Sequence, residues 1–211
     1  MAAKAPRRAL VGLTAALLAL GGCGGTSEGG ISGGGKVIGR TVTVYSLTSD
    51  PSGTKRDFVD AEKLALSDAG ARAGSLSVNF ASLDLGTDER LQAQAAKRAI
   101  SDPQIIAAIA DANTVTVPLL NAAGLLQVAP GGDASLVGDP QALPSGQRTV
   151  GALPALAAPA DFERRFRDAF GRDPSPGAER GYRAMQGVLR AIGEAGAAGN
   201  DRARVVDAYL G

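Results

Sequence analysis

Histidine and tryptophan are absent from this chain of 211 residues, and cysteine occurs only once, as Cys23. Without histidine there can be no Ser-His-Asp triad, no Cys-His nucleophile and no His/Cys metal cluster, so much hydrolytic and zinc chemistry is excluded. Catalysis by carboxylates alone is left open. Aromatic residues make up 4% of the chain and hydrophobic residues 45%, which predicts an aliphatic core.

A large excess of one charge is also missing, because the chain has 22 basic and 21 acidic residues. Three of the basic residues lie within residues 4–8, and without residues 1–22 the chain has 19 basic and 21 acidic residues. A net charge of about −2 gives no reason to expect a nucleic-acid partner.

The apolar run at residues 9–20 is too short for a permanent membrane span, which needs about 20 residues. It follows a positive head and ends in small residues, which is typical of an export signal. Cys23 comes directly after Leu-Gly-Gly and resembles the cysteine of a bacterial lipobox, which is diacylated after cleavage. We therefore expect residues 1–22 to be a lipoprotein signal peptide and Cys23 to be the lipidation site that anchors the protein to the membrane. The alternative is that Cys23 is an ordinary small residue at a signal-peptidase junction, or that it is a free buried thiol.

Seven of the twelve residues in the range 24–35 are glycine. Such a segment behaves as a flexible coil. We interpret residues 23–38 as a tether between the lipid and a folded domain.

From residue 40 onward, short apolar runs alternate with longer amphipathic ones, which is typical of βα units around a parallel sheet. The pattern predicts an α/β fold with a doubly wound parallel sheet and C-terminal helices. The predicted strands are 41–45, 77–83, 105–110 and 125–128, and the predicted helices are 58–69, 89–100, 115–123, 161–170, 176–195 and 202–210. We expect Asp161 to be the N-cap of the helix 161–170. We expect an α/β ligand-binding lobe over 39–137, a linker without regular structure over 138–160 and a helical segment over 161–211.

Five stretches occur in an order that resembles type I periplasmic binding proteins, in particular the branched-chain amino-acid binding lipoproteins of ABC importers. They are VTVYSLTSD, FVDAEKLALSDAGA, VNFASLDLGT, VPLLNAAGLLQVAP and FRDAFGRDPSPGAERGYRAMQGVLRAIGEAG. The resemblance covers residues 42–134 and 161–210. It implies an extracytoplasmic, lipid-anchored receptor that binds an amino acid and delivers it to the permease subunits of an ABC importer. It implies no enzymatic activity, no catalytic residue and no cofactor.

Ligands of open α/β sheets bind beyond the carboxyl ends of the strands. Asn113 and Thr114 follow the third predicted strand and precede a helix, whose N-terminal amides attract carboxylates. We therefore expect them to hold a ligand carboxylate, or else simply to cap the helix. Ser46 and Thr48 lie in the predicted loop after the first strand and would form another wall of the site.

Gly131, Gly132 and Asp133 follow the fourth predicted strand. The glycines could bring backbone amides close to a ligand, and Asp133 could accept a hydrogen bond from its ammonium group. The alternatives are a sharp turn at the glycines and a helix cap at Asp133.

Two full lobes do not fit into the 173 residues from 39 to 211, since one domain commonly takes about 100 to 150 residues. We expect most of the second lobe to be missing at the linker, which leaves the ligand exposed on one side and its binding weakened or lost. A one-lobed, surface-anchored interaction or sensor module is therefore the alternative function. A Rossmann-type enzyme is disfavoured, because no glycine fingerprint follows the first strand. We interpret Asp84 and Asp88 as loop residues rather than an acid/base pair.

Overall fold

The structure is a computed structural model that describes residues 35–50, 52–53, 55–131 and 149–211. The predicted signal peptide, Cys23, Gly132, Asp133 and most of the predicted tether and linker lie outside the described residues.

The described strands form one sheet with the order β2-β3-β1-β4-β5-β6. Every neighbouring pair is parallel except β2 and β3, so the predicted doubly wound parallel sheet is confirmed. The strands are β1 (Thr41–Thr48), β2 (Arg72–Ala73), β3 (Leu76–Asp84), β4 (Ile105–Ala110), β5 (Leu126–Ala129) and β6 (Val150–Ala152).

The described helices are α1 (Arg56–Asp68), α2 (Glu89–Ile100), α3 (Thr116–Ala122), α4 (Phe162–Phe170), α5 (Ala178–Glu194) and α6 (Arg202–Leu210). The bounds of α2 and α6 agree with the prediction, since each begins directly after an aspartate that caps it. Asp88 accepts a hydrogen bond from the N–H of Leu91 at 2.9 Å, and Asp201 accepts one from the N–H of Ala203 at 3.0 Å. None of the described helices is both long and apolar enough to cross a membrane.

Side chains of β1 alternate between two apolar layers. Val42 and Val44 belong to the layer that contains α1, α4, α5 and α6, whereas Leu47 belongs to the layer that contains α2 and α3. By the same alternation Ser46 and Thr48 face the α1 side of the sheet. Both are buried, at 0% and 2% exposure.

Arg172 ties the α4–α5 connection to α1. Its guanidinium donates to Asp57 at 2.8 Å and to Asp60 at 2.6 Å, and it lies over the rings of Phe166 and Phe170. Burial alone would raise the pKa of both carboxyls, but the hydrogen bonds from Arg172 outweigh it and hold each pKa below its ordinary value. The carboxylates of Asp57 and Asp60, on the first turns of α1, are therefore already paired with the Arg172 cation.

Three local predictions need correction. First, Ser46 and Thr48 are strand residues rather than loop residues, because β1 is paired on both sides and its apolar Leu47 is fully buried. Second, Val150–Ala152 forms β6 within the segment predicted to lack regular structure, since it pairs with β5 despite its short, glycine-containing sequence. Third, Asp161 makes no side-chain cap; its carboxylate binds Arg164 instead.

Candidate functional site

The carboxyl ends of β1 and β4 meet at the topological switch point of the sheet. From β1 the chain continues to β3 on one side, and β4 then pairs with β1 on the other side. Open α/β sheets bind ligands in the crevice at such a point. The sheet order therefore brings the predicted residues Thr48 and Asn113 to the same edge.

A small cavity of about 30 Å³ opens at this edge. Two of its lining residues, Thr48 and Gly131, are predicted site residues. The others are Lys55, Phe58, Asp111, Pro130 and Arg180. The cavity thus gathers a hydroxyl, two cations and one carboxylate between β1, β4, β5 and the first turns of α1 and α5.

Thr48, one of the residues that line this cavity, has an unsatisfied hydroxyl. The residue is 2% exposed, and its Oγ1 has no hydrogen-bond partner within the described part of the chain. A buried polar group without a partner costs about 1 to 3 kcal/mol. A ligand atom that bonds this hydroxyl would recover part of that cost.

Ser46 lies one step deeper along the same face of β1, beside the carboxyl group of Glu62 on α1. Glu62 is fully buried, and no regular hydrogen bond joins its oxygens, or the Ser46 hydroxyl, to any described residue. Burial raises the pKa of Glu62 well above its ordinary value of 4.5, although Ser46 and Lys63 act in the opposite direction. The β1 side of the edge thus holds three polar groups that the described structure leaves unpaired.

Asn113 has a different role, because its side chain caps α3. Its Oδ1 accepts hydrogen bonds from the N–H groups of Val115 at 2.9 Å and Thr116 at 2.8 Å. Thr114 is exposed next to it. The capping alternative therefore applies to the Asn113 side chain, and ligand contact by either residue stays a prediction.

Gln127 and Thr116 complete the polar network at the end of β4. Nε2 of Gln127 donates to the carbonyls of Ala110 at 3.3 Å and Asp111 at 3.2 Å, and to Oγ1 of Thr116 at 3.3 Å. The Thr116 hydroxyl in turn donates to the Asp111 carbonyl at 3.0 Å. Within the described residues only Oε1 of Gln127 is left without a partner in this network.

Several solved structures, among them three binding proteins, are similar to this chain. A leucine-binding protein from Thermotoga maritima matches with 11% identity and a TM-score of 0.61, over 80% of this chain and 87% of that one. A branched-chain amino acid transporter substrate-binding protein from Streptococcus pneumoniae, in complex with isoleucine, matches with 9% identity and a TM-score of 0.60, over 80% and 87%. An ABC transporter substrate-binding protein from Desulfitobacterium hafniense, in complex with leucine, matches with 10% identity and a TM-score of 0.60, over 80% and 88%.

The fold is that of a type I periplasmic-binding-protein lobe. No protein-family profile matches the sequence, and no curated protein matches it either. The expected fold is therefore confirmed by similarity of structure and not by similarity of sequence.

Lys55, Phe58 and Arg180 line the cavity but were not predicted. Lys55 has a sequence signal, since it immediately precedes the helix that follows β1, and that end of the helix faces the carboxyl edge of the sheet. Arg180 has no such signal, because only tertiary packing brings α5 to this edge. Next to it, a Cβ on Gly181 would overlap the carbonyl oxygen of Phe58, so the close approach of α5 to α1 requires glycine.

A larger hollow of about 360 Å³ lies on the α2 side of the sheet, next to Asp84 and Leu91. Asp84 Oδ1 accepts hydrogen bonds from the N–H groups of Gly86 at 2.8 Å and Asp50 at 3.2 Å. Asp88 caps α2. The two carboxylates thus hold local backbone structure, and Asp84 is the last residue of β3 rather than a loop residue. Among the residues that line this hollow, no buried side-chain polar atom is left without a partner as in Thr48.

Proposed function

We propose that this chain is the solute-binding lipoprotein of an ABC importer. It binds an amino acid at the carboxyl ends of β1, β4 and β5 and delivers it to the permease subunits. The observation that carries the proposal is the buried, unpartnered hydroxyl of Thr48 in a cavity at the switch point of the sheet. The site contains no nucleophile–base pair among the described residues, and the role is one of binding rather than catalysis.

The similar structures guide the choice of solute. Two of them hold isoleucine and leucine. Branched-chain amino acids are therefore the first solutes to test, among a panel of all twenty amino acids.

The proposal places the protein outside the cytoplasm, with the lipid on Cys23 as its membrane anchor. Cys23 lies outside the described residues, so this part rests on the sequence. Metabolic labelling with a radioactive fatty acid tests it: wild type is labelled and a Cys23→Ser variant is not. A labelled Cys23→Ser variant would contradict the anchor.

An interaction module without a solute would be favoured by an exposed apolar patch at the carboxyl edge. In the described part of the chain, the large apolar side chains with high exposure are Ile38, at 94%, and Leu91, at 37%. Ile38 precedes β1 and Leu91 follows the carboxyl end of β3, so they lie at opposite ends of the sheet. The described residues thus provide no such patch, and solute binding is the better supported function.

Calorimetric and thermal-shift titration of the full chain tests the proposal. A solute at 100 times its Kd adds about 2.7 kcal/mol to the free energy of unfolding. We expect saturable binding that Thr48→Val weakens about tenfold, the loss of one hydrogen bond to a charged group. Thr43→Val is the matched control, because Thr43 is also buried in β1 but faces the opposite side of the sheet. A cooperative melt that no amino acid shifts would contradict the proposal and favour the interaction module.

A further inference from the structure

We infer that the small cavity holds the carboxylate of the solute, which binds Lys55, Arg180 and Thr48, and that Asp111, another of its lining residues, binds the ammonium. This inference rests on the proposed function, and it moves the carboxylate from Asn113 and Thr114 to the end of β1. The side chain of the amino acid then lies outside the cavity.

The size of the cavity fits a carboxylate. A single water needs about 10 to 15 Å³ by the same measure, so 30 Å³ leaves room for roughly two water-sized atoms. Two such atoms correspond to the two oxygens of a carboxylate. The four oxygens of a phosphate need more space.

The charges around the cavity are complementary to a carboxylate. Neither Lys55 nor Arg180 has an ion pair with any described residue, whereas the neighbouring Arg172 and Arg183 do. The guanidinium of Arg180 lies against Gly131, with Nη1 3.7 Å from the position of an added Cβ. Two unpaired cations that line one cavity favour an anion between them.

The N-terminus of α1 adds to this preference. The helix has 13 residues and begins directly after Lys55, and no side chain caps it. Free amides at a helix N-terminus attract anions. Independently of the helix, Thr48 lines the same cavity, and its buried Oγ1 has no partner among the described residues.

Asp111 supplies the opposite charge. It is the acidic side chain among the described residues that line the cavity, and its carboxylate takes part in no hydrogen bond or ion pair with the described residues. Its carbonyl, by contrast, is held by Thr116 and Gln127. The fixed backbone thus keeps Asp111 in the lining of the cavity that Lys55 and Arg180 also line, so both signs of charge are present, as a zwitterionic ligand requires.

Titration of the full chain with four probes tests the inference. L-leucine carries both charges, isocaproate lacks the ammonium, L-leucinamide lacks the carboxylate, and inorganic phosphate reports on anions in general. We expect leucine to bind more tightly than either analogue. Lys55→Gln and Arg180→Gln should each weaken leucine binding about tenfold, the loss of a charge-assisted hydrogen bond. Each should strengthen the binding of leucinamide, because it removes a positive charge that repels the ammonium group of that probe.

Asp111→Asn should weaken leucine binding and strengthen the binding of isocaproate, because it removes a negative charge from the cavity. Arg90→Gln on α2 is the control, since it removes an exposed cation far from the cavity and should leave all affinities within about twofold.

The outcomes separate this inference from the proposed function. Leucine binding that survives Lys55→Gln and Arg180→Gln but is lost in Asn113→Ala overturns the inference and keeps the proposed function. Phosphate binding that exceeds leucine binding and depends on the two cations overturns the assignment of the ligand as a carboxylate. If neither leucine nor any other amino acid binds to a folded chain, both fail.

Discussion

The carboxyl ends of β1 and β4 lie side by side, yet their polar side chains are used in opposite ways. At the end of β4, Asn113, Thr116 and Gln127 bond to backbone groups and to one another. At the end of β1, the hydroxyls of Ser46 and Thr48 are buried without a partner among the described residues. Partnered polar groups stabilise the turn into α3, whereas the unpartnered ones weaken the fold.

The largest effect is expected at the contact that brings α5 to the β1 side. Gly181→Ala places a Cβ against the Phe58 carbonyl and forces α5 away from α1, which should cost about 3 kcal/mol or more. Gly193→Ala is a matched control in the same helix, because its Cβ would meet the nearest atom at 3.8 Å. Urea unfolding measures both. Equal stability of the two variants would contradict the close α1–α5 packing.

The next effect concerns the β4 end. Gln127→Leu removes the donor to two buried carbonyls and one hydroxyl, and we expect a loss of about 2 to 3 kcal/mol in unfolding free energy. Gln94→Leu, at an exposed position on α2, should change stability by less than about 0.5 kcal/mol. A Gln127→Leu variant as stable as wild type would show that the β4 network does not support the fold.

The third effect is a dependence of the unfolding free energy on pH that arises from Glu62. Because burial raises its pKa above 4.5, the folded state keeps a proton that the unfolded state loses, and stability falls as pH rises above 4.5. The slope should approach about 1.4 kcal/mol per pH unit below the folded-state pKa, and Glu62→Gln should remove it. Asp57 and Asp60 have pKa values below their ordinary value of 3.8, so their protonation changes the stability only at lower pH. They do not contribute to the slope above pH 4.5.

Urea unfolding between about pH 5 and 8 measures this slope. Glu163→Gln, at an exposed position on α4, is the control and should keep the wild-type slope. The same slope in wild type and Glu62→Gln would mean that Glu62 is not held neutral by burial.

The smallest stability effect is expected at Thr48. Thr48→Val removes a hydroxyl that has no partner, so the variant should be as stable as wild type or up to about 1 kcal/mol more stable. The contrast with Gln127→Leu sharpens the difference between the two strand ends. A loss of more than about 1 kcal/mol would indicate that the Thr48 hydroxyl is partnered in solution.

Local patterns predicted the strands and helices that carry strong signals. The uninterrupted apolar run Ile105–Ala110 is β4 at the predicted bounds, and Asp88 and Asp201 mark the starts of α2 and α6. By contrast, β2 and β6 have two and three residues, too few to show a period of two.

The candidate site was predictable only in part. The strand order of a doubly wound sheet indicates that residues after β1 and β4 meet, which placed Thr48 and Asn113 at one edge. The turn into α3 decides that the Asn113 side chain, and not that of Thr48, accepts hydrogen bonds from backbone N–H groups. The position of Arg180 at this edge depends on the close packing of Gly181 against Phe58. Both are properties of the folded chain that no local pattern encodes.

The most direct test of the account is a backbone-amide NMR titration of the 21.1 kDa chain with L-leucine. The account predicts that the largest shifts occur at Thr48, Lys55, Phe58 and Asp111, and that the amides of Val115 and Thr116, which Asn113 caps, move little. Shifts concentrated at Val115 and Thr116, with none at Thr48 and Lys55, would contradict it.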